Sequence, residues 1–130
     1  IHVHDEKDHV SKTSKECVSA WDKVKDYFSK LEDVSYKVTP NYISVKRNKT
    51  AVCFVRFKKH ELSINIIRGN ISKKGVKSKK FFSFDDPKKL CIEHDRQYLD
   101  QRRHSYIMKV DQNIDLEYAL WLLKQKYDSV

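Results

Sequence analysis

A chain of 130 residues, 39% hydrophobic and 35% charged, is sized for one soluble globular domain with a single modest core. Two glycines and two prolines exclude a loop-built or disordered chain, and neither a bilayer-spanning apolar run nor a signal-peptide pattern is present. The net charge of +9 is unevenly placed: Lys46 to Lys80 holds twelve Lys and Arg against the single acid Glu61, a local +11 that leaves −2 for everything else.

Residues 1–13 are polar and aperiodic and suggest a linker or tail before a single α+β domain over 14–130. The tail holds His2, His4, Asp5, Asp8 and His9, but no second half of a metal site is evident and no metal is expected there. Because the chain begins at Ile1 rather than Met, it reads as a segment of a longer protein. From Ser14, a reasonable cap, the residues Val18, Trp21, Val24, Phe28 and Leu31 recur at spacings of three and four with charges between them. That pattern predicts an amphipathic helix of about four turns.

Val34–Val38 suggests a short edge strand, stopped by Thr39-Pro40-Asn41. Three runs rich in β-branched and aromatic residues then follow, at Ile43–Val45, Ala51–Phe57 and Leu62–Ile66. Asn48-Lys49 and Lys58-Lys59-His60 separate them, which predicts an antiparallel meander. In an up-down-up sheet alternate turns share an end. Lys46, Arg47 and Lys49 are therefore expected beside Arg68 and the lysine-rich loop carrying Lys73, Lys74, Lys77, Lys79 and Lys80.

Phe81-Phe82-Ser83-Phe84 returns to the core, and Asp85-Asp86-Pro87 resembles a capped start to a short helix over Lys88–His94. In such a helix Cys91 and His94 lie one turn apart, but no third partner or oxyanion feature accompanies them, and nucleophilic catalysis is not expected. Asp95–Arg103 is ambiguous, and Ser105–Val110 alternates as a strand. Asn113 is the expected cap of a last helix, with Leu116, Leu120, Leu123 and Tyr127 as its buried stripe and Trp121 widening it. The predicted fold is an antiparallel sheet of four or five strands with the N- and C-terminal helices on one face. Cys17, Cys53 and Cys91 are odd in number and two lie in apolar patterns, so they read as reduced thiols of a cytoplasmic protein.

The order of these elements, with Tyr42-Ile43-Ser44-Val45-Lys46-Arg47, Ala51–Phe57, Leu62–Ile67, Asp85-Asp86-Pro87 and Leu122-Leu123-Lys124-Gln125-Lys126-Tyr127, resembles a family of uncharacterised bacterial domains sometimes labelled predicted transport proteins. Members often stand as C-terminal modules of restriction-type or nuclease-associated proteins. The similarity runs from about Cys17 to Tyr127. It departs after the Asp-Pro segment, where the family tends to have a Gly-His-aromatic turn and this chain has Tyr98-Leu99-Asp100-Gln101-Arg102-Arg103-His104. The resemblance implies an accessory module and carries over no catalytic residues or cofactor.

Charge and resemblance together suggest a non-catalytic accessory domain without a cofactor. It would bind the nucleic-acid backbone, DNA in preference to RNA, beside the other domains of a defence or nucleic-acid-processing protein and away from membranes. The expected contacts are Lys46, Arg47, Lys49, Arg68 and the loop lysines 73, 74, 77, 79 and 80. The alternative is a protein-interaction or dimerisation module whose basic surface is only solvated. Tyr36, Tyr42 and Tyr106 suit either stacking on single-stranded bases or packing in the core.

Overall fold

Cys17, Trp21, Val24 and Phe28 lie three or four residues apart and are all buried, which makes Lys15–Ser29 a helix with one apolar face (α2). Ser14 caps it, its hydroxyl accepting from the Cys17 amide at 3.3 Å. The computed structural model describes residues 6–11, 13–72, 74–77, 81–98, 101–111 and 115–130. Where the sequence suggests a tail, Glu6–Val10 forms a short helix (α1) that packs on the body. His9 is buried there, and its Nε2 donates to the Thr39 carbonyl at 2.6 Å. Glu6 accepts from Lys25 at 2.8 Å and from the Trp21 indole at 3.3 Å. His2, His4 and Asp5 lie outside the described residues.

The strands are β1 (Val34–Val38), β2 (Ile43–Arg47), β3 (Thr50–Phe57), β4 (Leu62–Ser72), β5 (Ile92–Tyr98) and β6 (Gln101–Val110), and Leu116–Ser129 closes the fold as α3. They form one sheet in the order β1-β2-β3-β4-β6-β5, with every neighbouring pair antiparallel. The α+β class and the meander match the sequence. The strand number does not, because the segment Lys88–His94 is no helix.

Asp86 does take the capping role the sequence suggests, but it caps a turn: its carboxylate accepts from the Leu90 and Cys91 amides at 3.1 and 2.9 Å and from the Tyr118 hydroxyl. Lys89 then adopts a left-handed φ of 52°, which no helix continues through, and the chain leaves as β5. This strand is polar and lies at the sheet edge, so it has no apolar alternation. Pairing with β6 defines it instead, from Ile92↔Ile107 to Tyr98↔Gln101.

One face of the sheet holds the core. Ile43, Val45, Val55, Leu62, Ile64 and Met108 are buried there beneath the helices, with Trp21 edge-on to Phe57 at 5.4 Å and Phe28 against Tyr127 at 6.4 Å. Segment 81–91 continues this layer alongside α3. Phe84 stacks on Tyr106 at 4.9 Å, and the Asp85 amide donates to the Gln125 side chain at 2.9 Å.

The buried stripe of α3 is rotated from the expected one. Ala119, Leu122, Leu123, Lys126 and Tyr127 are inside, whereas Leu116 and Leu120 are half-buried and Trp121 is 43% exposed. A small residue and a lysine sit on the inner face, where reading by hydrophobicity overlooks them. The cap of α3 is Asp115, which accepts from the Tyr118 amide at 3.2 Å; Asn113 lies outside the described residues. No helix among the described residues is long and apolar enough to cross a membrane.

Candidate nucleic-acid interface

The basic residues that the meander geometry gathers have unequal freedom. Arg47 points under the sheet toward the end of α3. Its guanidinium donates to the carbonyls of Tyr127 and Val130 at 2.9 and 3.0 Å and lies 4.4 Å from the Tyr127 ring centre. It therefore closes the C-terminus of a helix, where a cation complements the dipole.

Arg68 sits at a bulge in β4, next to Gly69 with its φ of 144°. It donates to the Phe82 carbonyl at 2.9 Å and the Ser83 hydroxyl at 2.8 Å, and pairs with Glu93 at 2.5 Å. Phe81 and Tyr106 sandwich it with ring centres at 4.7 and 4.6 Å. Both arginines belong to the framework of the fold.

Lys46, Lys49 and Lys74 remain at the surface, and Lys77 lies over Phe81 at 5.1 Å, while Lys73, Lys79 and Lys80 lie outside the described residues. The cleft beside Arg68, about 500 Å³ and lined also by Lys77, Phe81, Glu93, Asp95 and His104, largely neutralises itself. Arg68 pairs with Glu93 there, and Asp95 pairs with the Nδ1 of His104. An anion entering it would displace carboxylates already in place.

The other face of the sheet is different, and among the described residues no helix lies over it. Strand alternation and register turn Lys37, Lys46, Arg56, Arg96, Arg103 and Lys109 to this side, and no Asp or Glu among the described strand residues joins them. In its middle is a groove of about 340 Å³, lined by Tyr42, Phe54, Arg56, Asn65, Ile67, His94, Arg96, Arg103, Ser105 and Ile107.

Tyr42 and Phe54 meet edge to face with ring centres 5.0 Å apart. The groove floor holds an under-used polar atom: Asn65 Oδ1 is buried without a hydrogen-bond partner, as is Ser44 Oγ two strands away on the same face. Across the floor, Phe54 stands opposite Asn65, and Asn65 opposite Ile107.

Sequence reasoning did not assemble this set. In the sequence Tyr42 is one of three tyrosines that suit stacking or core alike, and the structure separates them: Tyr106 is core, Tyr36 packs on Trp21 at 6.1 Å, and Tyr42 lines the groove. The signal for Phe54 and Arg56 was present as the off-register half of the Cys53-Val55-Phe57 alternation. Arg96 and Arg103 depend on a hairpin with no such signal.

The Cys91–His94 pair dissolves with its helix, since an odd separation along an extended chain sends side chains to opposite faces. Burial pushes the Cys91 thiol up to about 12, with the neighbouring Asp86 carboxylate adding to it, and burial alone pushes Cys53 up to about 12. All three cysteines are free thiols, and these two are protonated near neutrality.

Fold and face together define an α+β domain with a covered apolar side and an open basic side. Compared with protein-family models, with curated proteins and with solved structures, the chain matches none.

Proposed function

We propose that the protein is a non-catalytic accessory domain that binds nucleic acid through the phosphate backbone, with the open sheet face as its principal surface. The observation that carries this reading is the segregation of charge: cations from five strands share one face with no Asp or Glu among the described strand residues there, whereas Arg47, Arg68 and Lys126 of the other side are bonded into the fold. A surface built only for solubility interleaves both signs, and one of a single sign concentrates polyanions. Lys46, Lys49, Lys74 and Lys77 extend the positive field at the sheet end; Arg47 and Arg68 contribute charge but keep their hydrogen bonds within the protein. The family resemblance suggests the setting, a module of a larger cytoplasmic defence or nucleic-acid-processing protein. The three unpaired cysteines suit a reducing compartment.

The test is a fluorescence titration of labelled oligonucleotides at several salt concentrations, comparing wild type with Arg56→Gln/Arg96→Gln and with Lys74→Gln/Lys77→Gln. Each phosphate contact contributes roughly 0.7 (single strand) to 0.9 (duplex) to the slope of log affinity against log salt. The arginine variant is expected to lose the larger part of the slope. Absence of wild-type binding even at low salt would sink the proposal. The protein-interaction reading would then take over, which the exposed Trp121, stacked on Tyr118 at 5.5 Å, favours.

A further inference from the structure

We infer that the ligand of the open face is a single strand, with a base stacked at the Tyr42–Phe54 pair and its edge met by Asn65. This rests on the nucleic-acid reading and deepens it. Geometry argues first. Six strands at 4.7–4.9 Å spacing make a face roughly 24 Å across, whereas the major groove of duplex DNA is about 12 Å wide and admits a helix or a two-stranded ribbon. A duplex can therefore lie on this face only by its phosphates, and its stacked bases cannot reach the aromatic rings.

The chemistry of the groove then asks for a base. Phosphate contact needs only cations, yet this groove places Tyr42 and Phe54 beside Arg56 on one flank and His94 and Arg96 on the other. Aromatic faces among cations form the pattern on which unpaired bases stack while the backbone is neutralised beside them. Asn65 adds a third element. Its Oδ1 is buried with no hydrogen-bond partner, and it sits on the floor opposite Phe54. An amide so placed can exchange donor and acceptor bonds with the edge of a base that stacks on the neighbouring ring. A backbone-only site leaves that oxygen unsatisfied, at the cost any buried orphan carries.

DNA and RNA single strands share this chemistry, so both enter the test. The experiment measures binding of the full chain to a labelled single-stranded DNA 12-mer, an RNA 12-mer of the same sequence and the corresponding DNA duplex, all at one moderate salt concentration. Tyr42→Ala and Asn65→Ala are the variants, with thermal melts to establish that each is folded. Tyr42 precedes β2, and its hydrogen bonds to Thr39 run through its backbone, so its ring can be removed without cutting the sheet ladder.

The expected result is that at least one single strand binds more tightly than the duplex, and that Tyr42→Ala weakens it about 5- to 150-fold, as loss of one stacked base requires. The duplex should bind both proteins alike. Asn65→Ala should weaken the same single strand by less than Tyr42→Ala does and leave the duplex unchanged. Equal or tighter binding of the duplex, or a folded Tyr42→Ala protein that binds single strands as wild type does, would overturn the inference and leave backbone binding standing. If no oligonucleotide binds here or at low salt in the titration that tests the underlying proposal, that proposal fails first, and this one with it.

Discussion

The two faces of the sheet use the same strands in opposite ways. On the covered face Ile43, Val45, Val55, Leu62 and Ile64 are closed over by α2, α3 and segment 81–91, and three cations are bonded into the fold: Arg47 at the helix end, Arg68 beside two rings, Lys126 donating to the Ile67 carbonyl at 3.0 Å, while His104 Nε2 on that side is buried without a partner. On the open face Arg56 and Arg96 make no ion pair among the described residues, and Ser44 and Asn65 hold buried oxygens without partners. A fold needs one closed face to be stable. Unsatisfied groups and crowded like charges on the second face oppose stability, and local rules of this kind are broken where a site is maintained. Under the proposed reading, the binding side is the one that contributes least to holding the chain together.

The sharpest way to break that contrast is through the core. Trp21→Ala should cost about 3–5 kcal/mol and Leu122→Ala about 2–5 kcal/mol in urea denaturation, since both side chains are fully buried. Leu120→Ala, on the half-buried flank of α3, should cost distinctly less. Equal losses at Leu120 and Leu122 would mean that α3 presents a different face to the sheet from the one described.

How much of this is legible in the sequence follows from where the physics is local. The helix at Lys15–Ser29 and the meander are written in residue spacing, because each buries one side whose apolar residues recur at the period of its own backbone, three to four in the helix and two in the strands. The hairpin of β5 and β6 is not: His94-Asp95-Arg96-Gln97 has no apolar period, and its strand character comes from the partner strand. The turn at Asp86–Leu90 mimics a helix start because an Asp followed by Pro serves both, and only the left-handed Lys89 separates them.

For the site, charge density directs attention to lysines in one loop, whereas the open face draws single cations from strands far apart in sequence. Only the register brings Arg56, Arg96 and Lys46 together. The pairing of Arg68 with Glu93, which removes it from the free surface, spans 25 residues and has no local signature.

The turn tests the boundary between the two faces, because it delivers the chain from the covered layer into β5. Asp86→Ala removes two backbone hydrogen bonds and the Tyr118 contact and should cost about 1–2 kcal/mol. Partial burial raises the Asp86 carboxyl, but the bonds from Tyr118, Cys91, Leu90 and Lys89 outweigh it and hold the group below the usual carboxylate value. The sign follows from that. A depressed carboxylate contributes stability that is fully present above its unfolded pKa and is lost as the pH falls through the folded one. An acid titration of stability should therefore show wild type and Asp86→Ala converging below the ordinary Asp range. Parallel curves would mean that the charge of Asp86 plays no part in the turn.

The smallest stability effect is the most informative about function. Arg96 of β5 stands directly opposite Arg103 of β6, and like charges across an antiparallel pair destabilise it. Changing Arg96 to Gln keeps a long polar side chain and removes one member of that pair. The change should leave stability unaltered or raise it by up to about 1 kcal/mol, with the gain larger at low ionic strength and fading as salt screens the face. Arg47→Gln is the control from the covered side: two hydrogen bonds to helix-end carbonyls and a ring contact are lost, and stability should fall by about 1–2 kcal/mol at any salt concentration. Chemical denaturation of both variants in urea at low and high salt measures the difference. If Arg96→Gln destabilises the protein as much as Arg47→Gln does, the open-face cations belong to the framework, and the division between a face that folds and a face that binds does not hold.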